Sequence, residues 1–112
     1  MKKILILSII FVSVSVFAET KTAVGSGYWD AITWSPAGEP DSDDDVIIPD
    51  GITVIINDSA KTIRSLTIQN DGSNGDPGTL KNNYPLTITG ASSSNSTISG
   101  KLEVNSTATL SE

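Results

Sequence analysis

The sequence predicts an all-β protein built as a short parallel β-helix, or β-solenoid. Three observations support this fold class. An apolar-x-apolar triplet recurs along the chain, short β-branched runs alternate with turn-forming residues, and no segment after position 19 keeps the i, i+3, i+4 apolar spacing of an amphipathic helix. The recurring triplets are Val46-Ile47-Ile48, Leu66-Thr67-Ile68, Leu86-Thr87-Ile88 and Leu102-Glu103-Val104.

The spacing of the triplets indicates how the strands stack. Successive triplets start 20 residues apart (46 to 66 and 66 to 86) and then 16 apart (86 to 102). A period near 20 suits a coil whose rungs, the complete passages of the chain around the solenoid, stack roughly 4.8 Å apart. We therefore expect the first and last residues of all four triplets to form one interior column, with the middle residues outside. The alternative is a small β-sandwich in which residues 46–56 form an isolated antiparallel hairpin.

The segment from Asp45 to Asp58 sets this repeat. Two β-branched runs flank Pro49-Asp50-Gly51, where proline presets φ, aspartate can bond its own backbone and glycine permits positive φ. The segment predicts a strand, a sharp corner and a second strand. A later stretch, Asn70 to Gly78, is dense in turn-forming residues, and we expect it to project from the stack as a loop.

The first 18 residues have the form of a bacterial signal peptide. Lys2 and Lys3 precede an apolar run from Ile4 to Phe17, and the run ends at Val16-Phe17-Ala18, which suits cleavage after Ala18. A run of 14 residues spans only about 21 Å as a helix, which disfavours the alternative of an uncleaved membrane anchor. We expect a secreted protein, extracellular or at the cell surface, with no membrane insertion after cleavage.

Composition then excludes several function classes. Without Lys2 and Lys3, five basic residues face 13 acidic ones, so the mature net charge is about −8, which opposes binding to nucleic acid and to anionic lipid. The chain has no cysteine, so neither a disulfide framework nor a thiolate zinc site can form.

The remaining chain divides into two parts. Residues 19–44 hold both tryptophans and no sustained periodicity, and they predict an irregular N-terminal cap. Residues 45–112 predict the rungs. Because nothing after Thr107 to Leu110 would shield the interior column, we expect further rungs of the same polypeptide beyond Glu112 as partners of this fragment.

One set of motifs resembles a known group of proteins. The order Gly27-Tyr28-Trp29, Thr33-Trp34, Gly38-Glu39-Pro40, Asp44-Asp45-Val46-Ile47-Ile48-Pro49 and Ser65-Leu66-Thr67-Ile68 is similar to the N-terminal region of exported bacterial surface proteins. Those proteins are right-handed parallel β-helices. The same residues resemble, more loosely, the eight-glycine (G8-like) extracellular domain. The resemblance covers residues 27 to about 90 and implies a right-handed solenoid in an adhesin-like surface protein.

The aromatic residues Tyr28, Trp29, Trp34 and Tyr84 are candidates for carbohydrate binding, since flat ring faces on an acidic exported protein suit neutral polysaccharide or a cell-surface glycan. The alternative is structural. Two tryptophans just before the first rung are well placed to cover its open apolar end, and we favour this for Trp29 and Trp34.

The acidic run Asp41, Asp43, Asp44 and Asp45 could supply oxygen ligands to Ca²⁺. The favoured alternative is a solvated acidic turn in which one aspartate caps backbone amides before the first strand. No other cofactor is expected.

The chain offers few side chains suited to catalysis, because it lacks histidine and cysteine. The paired carboxylates Asp43 and Asp44 lie in the predicted cap. We expect no enzyme within these residues, although the full-length protein could carry one. The sequence favours the N-terminal cap and scaffold of a secreted or cell-surface β-helix protein, adhesive or carbohydrate-contacting. The alternatives are a carbohydrate-binding module and the leading end of a polysaccharide-degrading enzyme.

Overall fold

The computed structural model describes residues 19–72, 75–90, 96–105 and 109–111, and the predicted signal peptide, residues 1–18, lies outside them. Within this part of the chain every regular element is a strand, and no helix is long and apolar enough to span a membrane. The strands are β1 (Thr20–Ala23), β2 (Gly27–Tyr28), β3 (Trp34–Ser35), β4 (Asp45–Ile48), β5 (Thr53–Ile56), β6 (Lys61–Ile63), β7 (Ser65–Ile68), β8 (Thr79–Asn82), β9 (Leu86–Ile88), β10 (Thr97–Ile98), β11 (Lys101–Val104) and β12 (Leu110–Ser111).

The strands form three sheets around a common core. Sheet A has the order β10-β7-β4-β1-β3, sheet B the order β11-β8-β5-β2 and sheet C the order β12-β9-β6. The chain visits the sheets in rotation, so β4, β5 and β6 form one rung, β7, β8 and β9 the next, and β10, β11 and β12 the third. All pairs are parallel except β1 with β3. The predicted parallel β-solenoid is confirmed, with about three rungs, and the β-sandwich alternative is wrong.

The predicted register holds for the first two triplets and fails for the others. Val46 lies beside Leu66 and Ile48 beside Ile68 in sheet A, as expected. The triplet at Leu86 instead lies in sheet C, beside β6, and the triplet at Leu102 lies in sheet B, beside β8. The single interior column predicted for all four triplets is therefore wrong.

Corner segments of unequal length explain this error. Every sheet needs a short strand with apolar residues facing inward, so the same triplet pattern arises on all three faces. Between sheets A and B the chain uses residues 49–52 in one rung, 69–78 in the next and 99–100 in the last. Such corners change the spacing along the sequence while the strands still stack one above another.

The core lies where the inward positions of the three sheets meet. Its members are fully or almost fully buried, and they are Ala23, Trp29, Trp34, Val46, Ile48, Val54, Ile56, Ile63, Leu66, Ile68, Leu80, Leu86 and Ile88. One polar residue joins them: Asn82, beside Ile56 in sheet B, is 0% exposed, and neither side-chain amide atom has a hydrogen-bond partner among the described residues. An unpaired buried amide costs about 1–3 kcal/mol, so this position weakens the column.

The corner between sheets A and B brings backbone segments into close approach. A Cβ atom added at Gly78 would lie 2.7 Å from the carbonyl oxygens of Ile48 and Pro49 and 2.8 Å from that of Gln69. One rung later, Gly100 takes the equivalent place before sheet B and packs against the carbonyl oxygen of Gly78 and the side chain of Ile68. Glycine is required at both positions because no side chain fits between the stacked corners.

The corner between sheets B and C carries a ladder of amide side chains. Asn57, Asn83 and Asn105 each follow the sheet B strand of their rung. The Asn83 Nδ2 group donates to Oδ1 of Asn57 at 3.1 Å, and Nδ2 of Asn105 donates to Oδ1 of Asn83 at 3.3 Å. The ladder links three successive rungs and reinforces their register.

Candidate functional site

The N-terminal segment covers one end of the solenoid. Strand β1 adds to sheet A beside β4, and β3 then pairs antiparallel with the outer edge of β1. Between them the backbone N–H of Trp29 donates to the carbonyl oxygen of Ile55 at 2.8 Å. Residues 19–44 therefore begin a partial rung through β1 and β2 before they fold over its end.

The two tryptophans pack together within this cover. Trp29 is 0% exposed and Trp34 is 4% exposed, and their ring centroids lie 4.8 Å apart with the planes tilted by 58°. The indole Nε1 of Trp34 donates to the carbonyl oxygen of Trp29 at 3.0 Å. The prediction that both tryptophans are buried rather than exposed is confirmed. Their ring faces are occupied by core neighbours, so neither offers a stacking surface to a sugar in this conformation.

Two lysines take the first inward-facing position of their sheets. Lys21 lies in register with Val46 in sheet A, and Lys61 lies in register with Leu86 in sheet C. Both side chains are largely buried, with exposed fractions of 7% for Lys21 and 11% for Lys61. The stems therefore extend the interior columns while the ammonium groups leave the core at the N-terminal end.

The ammonium groups of these lysines hold the loop that covers the end. The Nζ atom of Lys21 donates to the carbonyl oxygens of Pro36 at 3.2 Å and Ala37 at 2.9 Å. The Nζ atom of Lys61 lies 2.6 Å from a carboxylate oxygen of Glu39 and 2.7 Å from one of Asp58. Burial acts to lower the pKa of Lys61, but the hydrogen bonds to the two carboxylates outweigh it and raise that pKa.

Tyr28 and Tyr84 are the exposed members of the aromatic set. Tyr28 is 52% exposed and Tyr84 is 41% exposed. Tyr28 borders an open groove of about 400 Å³ on the N-terminal segment, together with Val24 and Ile32. Concave, mostly apolar surfaces of this size can hold a small ligand. The two tyrosines lie on different parts of the fold, so the structure does not gather the four aromatic residues into one site.

The acidic run forms a hydrogen-bonded turn. Both carboxylate oxygens of Asp44, a residue that is 4% exposed, accept backbone N–H groups, one from Glu19 at 3.3 Å and the other from Asp41 at 2.9 Å. The Oδ1 atom of Asp41 accepts the backbone N–H of Asp43 at 2.9 Å. The run therefore adopts the capping arrangement that was the alternative to a Ca²⁺ site.

The last aspartate of the run, Asp45, has different partners on sheet A. The Arg64 guanidinium donates from Nε to Oδ1 of Asp45 at 2.9 Å and from Nη2 to Oδ2 of the same carboxylate. The Ser65 hydroxyl donates to the same Oδ1 at 2.6 Å. Among the residues that the structure describes, no three carboxylates approach closely enough to hold a metal ion.

The Arg64 contact makes the stability of the fold depend on pH. Hydrogen bonds from Arg64 hold the pKa of Asp45 below its ordinary value of 3.8, against the opposing effect of partial burial. A carboxylate whose pKa is lowered by folding stabilises the protein above its unfolded pKa, and that stability is lost as the pH falls through the folded pKa.

We therefore expect thermal unfolding to show a smaller loss of melting temperature between pH 6 and pH 3 for Asp45→Asn than for the unmodified chain. Asp30→Asn, on the exposed surface of the N-terminal segment, controls for the change in net charge. An equal acid loss in Asp45→Asn and the unmodified chain would contradict the assignment.

Comparison of the chain with protein-family models, with curated protein sequences and with solved structures gave no match.

The sequence analysis did not identify the two inward-facing lysines, Lys21 and Lys61, or the asparagine ladder. The ladder had a readable signal in the sequence, because an asparagine follows each of the strands β5, β8 and β11, at spacings of 26 residues (57 to 83) and 22 (83 to 105). The two lysines had no such signal in the sequence, because an inward-facing lysine can be recognised only once the register of its strand is known.

Proposed function

We propose that this chain is the N-terminal cap and scaffold of an exported, surface-associated β-solenoid protein with an adhesive or carbohydrate-contacting role. The observation that carries the proposal is the cover over the N-terminal end of the solenoid. A folded-over segment, a tryptophan pair and two lysines close the core at this end.

The residues beneath this cover are buried. In sheet A, Val46 lies beside Lys21 of β1 and is 0% exposed. In sheet B, Val54 lies beside Gly27 of β2 and is also 0% exposed. A solenoid closed at one end suits a terminal capping unit, because open ends offer unpaired strands to other chains.

Further features support export to the cell surface and a carbohydrate-contacting role. The signal-like residues 1–18 and the net negative charge fit an exported protein, and the motif residues between Gly27 and about Gly90 resemble exported bacterial β-helix surface proteins. The groove beside Tyr28 is the surface best suited to contact a sugar ring, since one aromatic face and nearby apolar side chains are exposed there.

Amide hydrogen exchange on the exported chain tests the capping role. We expect the amides of β1 to exchange at least about tenfold more slowly than those of β10 and β11, although all three strands lie near an end of the stack. The two ends of one molecule serve as matched controls. Equally fast exchange in β1 and β10 would show that the N-terminal segment does not protect the core.

The same measurement with added neutral oligosaccharides tests the carbohydrate-contacting part. Slower exchange confined to residues 24–33, which is lost in Tyr28→Ala and kept in Tyr84→Ala, is the expected result. An exchange pattern that oligosaccharides leave unchanged would restrict the role to scaffolding.

A further inference from the structure

The outer face of sheet B carries the two most exposed cations of the part of the chain that the structure describes. The strands of this sheet, β2, β5, β8 and β11, contain three charged residues, Lys81, Lys101 and Glu103. The side chains of Lys81 and Lys101 are 48% and 59% exposed. Because successive residues of a strand point to opposite faces, all three project outward, beside the inward-facing Leu80 and Leu102. The cluster lies on the side of the stack, so further rungs would leave it open to solvent.

The other basic residues of the mature chain are engaged in contacts that hold the fold. Lys21 and Lys61 bind the loop that covers the N-terminal end, and Arg64 pairs with Asp45. The strands of sheet B therefore carry a net charge of +1, from two lysines and one glutamate, whereas the rest of the mature chain carries −9, from three basic and 12 acidic residues. A positive face on an acidic protein favours an anionic partner at that face.

The three charged side chains of sheet B form one cluster. The Nζ atom of Lys101 lies 2.6 Å from Oε1 of Glu103, and the Nζ atom of Lys81 lies 3.6 Å from Oε2. The hydrogen bond from Lys101 holds the pKa of Glu103 below its ordinary value of 4.5, so this carboxylate is ionised at neutral pH. Both ammonium groups thus approach one carboxylate, and one positive charge remains in excess. A second carboxylate, carried by a ligand, would neutralise it through charge-assisted hydrogen bonds.

An exposed aromatic ring lies in the same outward column of sheet B. Tyr28 lies beside Ile55, and Ile55 lies beside Lys81, so two strand spacings, about 10 Å, separate Tyr28 from Lys81. Tyr28 is 52% exposed, and its ring suits the apolar face of a sugar. We propose that the outer face of sheet B binds a carboxylated polysaccharide that crosses the strands, with one sugar ring on Tyr28 and the carboxylate of a later sugar between Lys81 and Lys101.

The asparagine ladder favours a polysaccharide over an acidic peptide. Asn57, Asn83 and Asn105 follow β5, β8 and β11, so their amide groups form a row along the border of this face, parallel to the column that contains Tyr28 and Lys81. A polysaccharide that crosses the strands presents hydroxyl groups to this row at each sugar. The site rests on the carbohydrate-contacting role proposed above, to which it adds the charge of the glycan and the face that holds it.

Matched glycans test the charge preference. The chain recovered after export from a bacterial host is titrated calorimetrically with short oligomers of glucuronic acid and of galacturonic acid, and with the same oligomers after reduction of their carboxyl groups to primary alcohols. We expect a carboxylated oligomer to bind about tenfold more tightly than its reduced form in about 0.05 M salt, and to lose most of this advantage in about 0.5 M salt. Tyr28→Ala should weaken the binding of both forms.

Charge variants locate the binding on sheet B. Lys81→Gln and Lys101→Gln should each weaken binding of the carboxylated oligomer at least about fivefold, whereas Glu103→Gln should strengthen it about threefold, because the ligand no longer shares the ammonium groups. Thr62→Glu, at an exposed position on sheet C, matches the change in net charge of the lysine variants. Asp43→Asn, in the exposed acidic turn, matches that of Glu103→Gln. Both control variants should bind as the unmodified chain does, and circular dichroism verifies that each variant is folded.

The outcomes separate this site from the broader carbohydrate-contacting role. Equal affinity for the carboxylated and reduced oligomers, or lysine variants that bind no more weakly than Thr62→Glu, would overturn the charged site and keep the broader role. Binding of neither form at concentrations up to about 1 mM would overturn both. Equally tight binding of a poly-glutamate peptide would show that the face recognises charge alone, which would overturn the assignment to a polysaccharide.

Discussion

Replacing Leu66 by alanine is expected to lower the free energy of unfolding by about 2–5 kcal/mol. Leu66 is 0% exposed and lies above Val46 in the sheet A column, so the truncation leaves a cavity between stacked rungs that neighbouring strands cannot close without losing their ladder hydrogen bonds. Denaturant unfolding followed by circular dichroism measures the change.

Thr67→Ala is the matched control for this experiment. Thr67 is the next residue of the same strand, but its side chain points outward and is only partly buried. The expected cost is under about 1 kcal/mol. Similar losses at both positions would contradict the assignment of the inward face.

Gly78→Ala is expected to cost about 3 kcal/mol, at the upper end of the usual range for overpacking. The new methyl group would meet three backbone carbonyl oxygens at 2.7–2.8 Å, and backbone at a stacked corner cannot move aside as a flexible side chain can. Adjacent rungs would have to separate locally, so the melting temperature should fall and the transition should broaden.

Gly25→Ala provides the comparison, since an added Cβ at Gly25 meets no atom within 4 Å. Thermal unfolding of this variant should stay close to that of the unmodified chain. If Gly78→Ala unfolds like Gly25→Ala, the corners are not packed as closely as the structure indicates.

The parallel stacking could be predicted from the sequence because the apolar triplets recur at a spacing near 20 residues. The register of Val46 with Leu66 followed from the same spacing, and the alternation within each strand gave the inward face. The burial of Trp29 and Trp34 followed from their size and their place before the first rung. These properties depend on the spacing of apolar residues and on the apolar area of each side chain, and both can be read from the sequence.

The face to which a strand belongs could not be predicted in the same way. Leu86 satisfies the inward pattern equally well in sheet A and in sheet C, and only the number of residues at the corners decides between them. Lys61 posed a second difficulty, because its long apolar stem fills an interior position while its ammonium group ends among carboxylates. Charge alone would assign such a residue to the solvent.

The corner between sheets A and B uses two, four or ten residues in different rungs, and the strands on either side still align. The corner residues lie outside the strands, so the length of a corner can vary while the stacked strands stay in place. A rod built in this way can acquire new loops over evolution without a search for a new fold. The segment 69–78 is for the same reason the natural place to graft a foreign epitope for display.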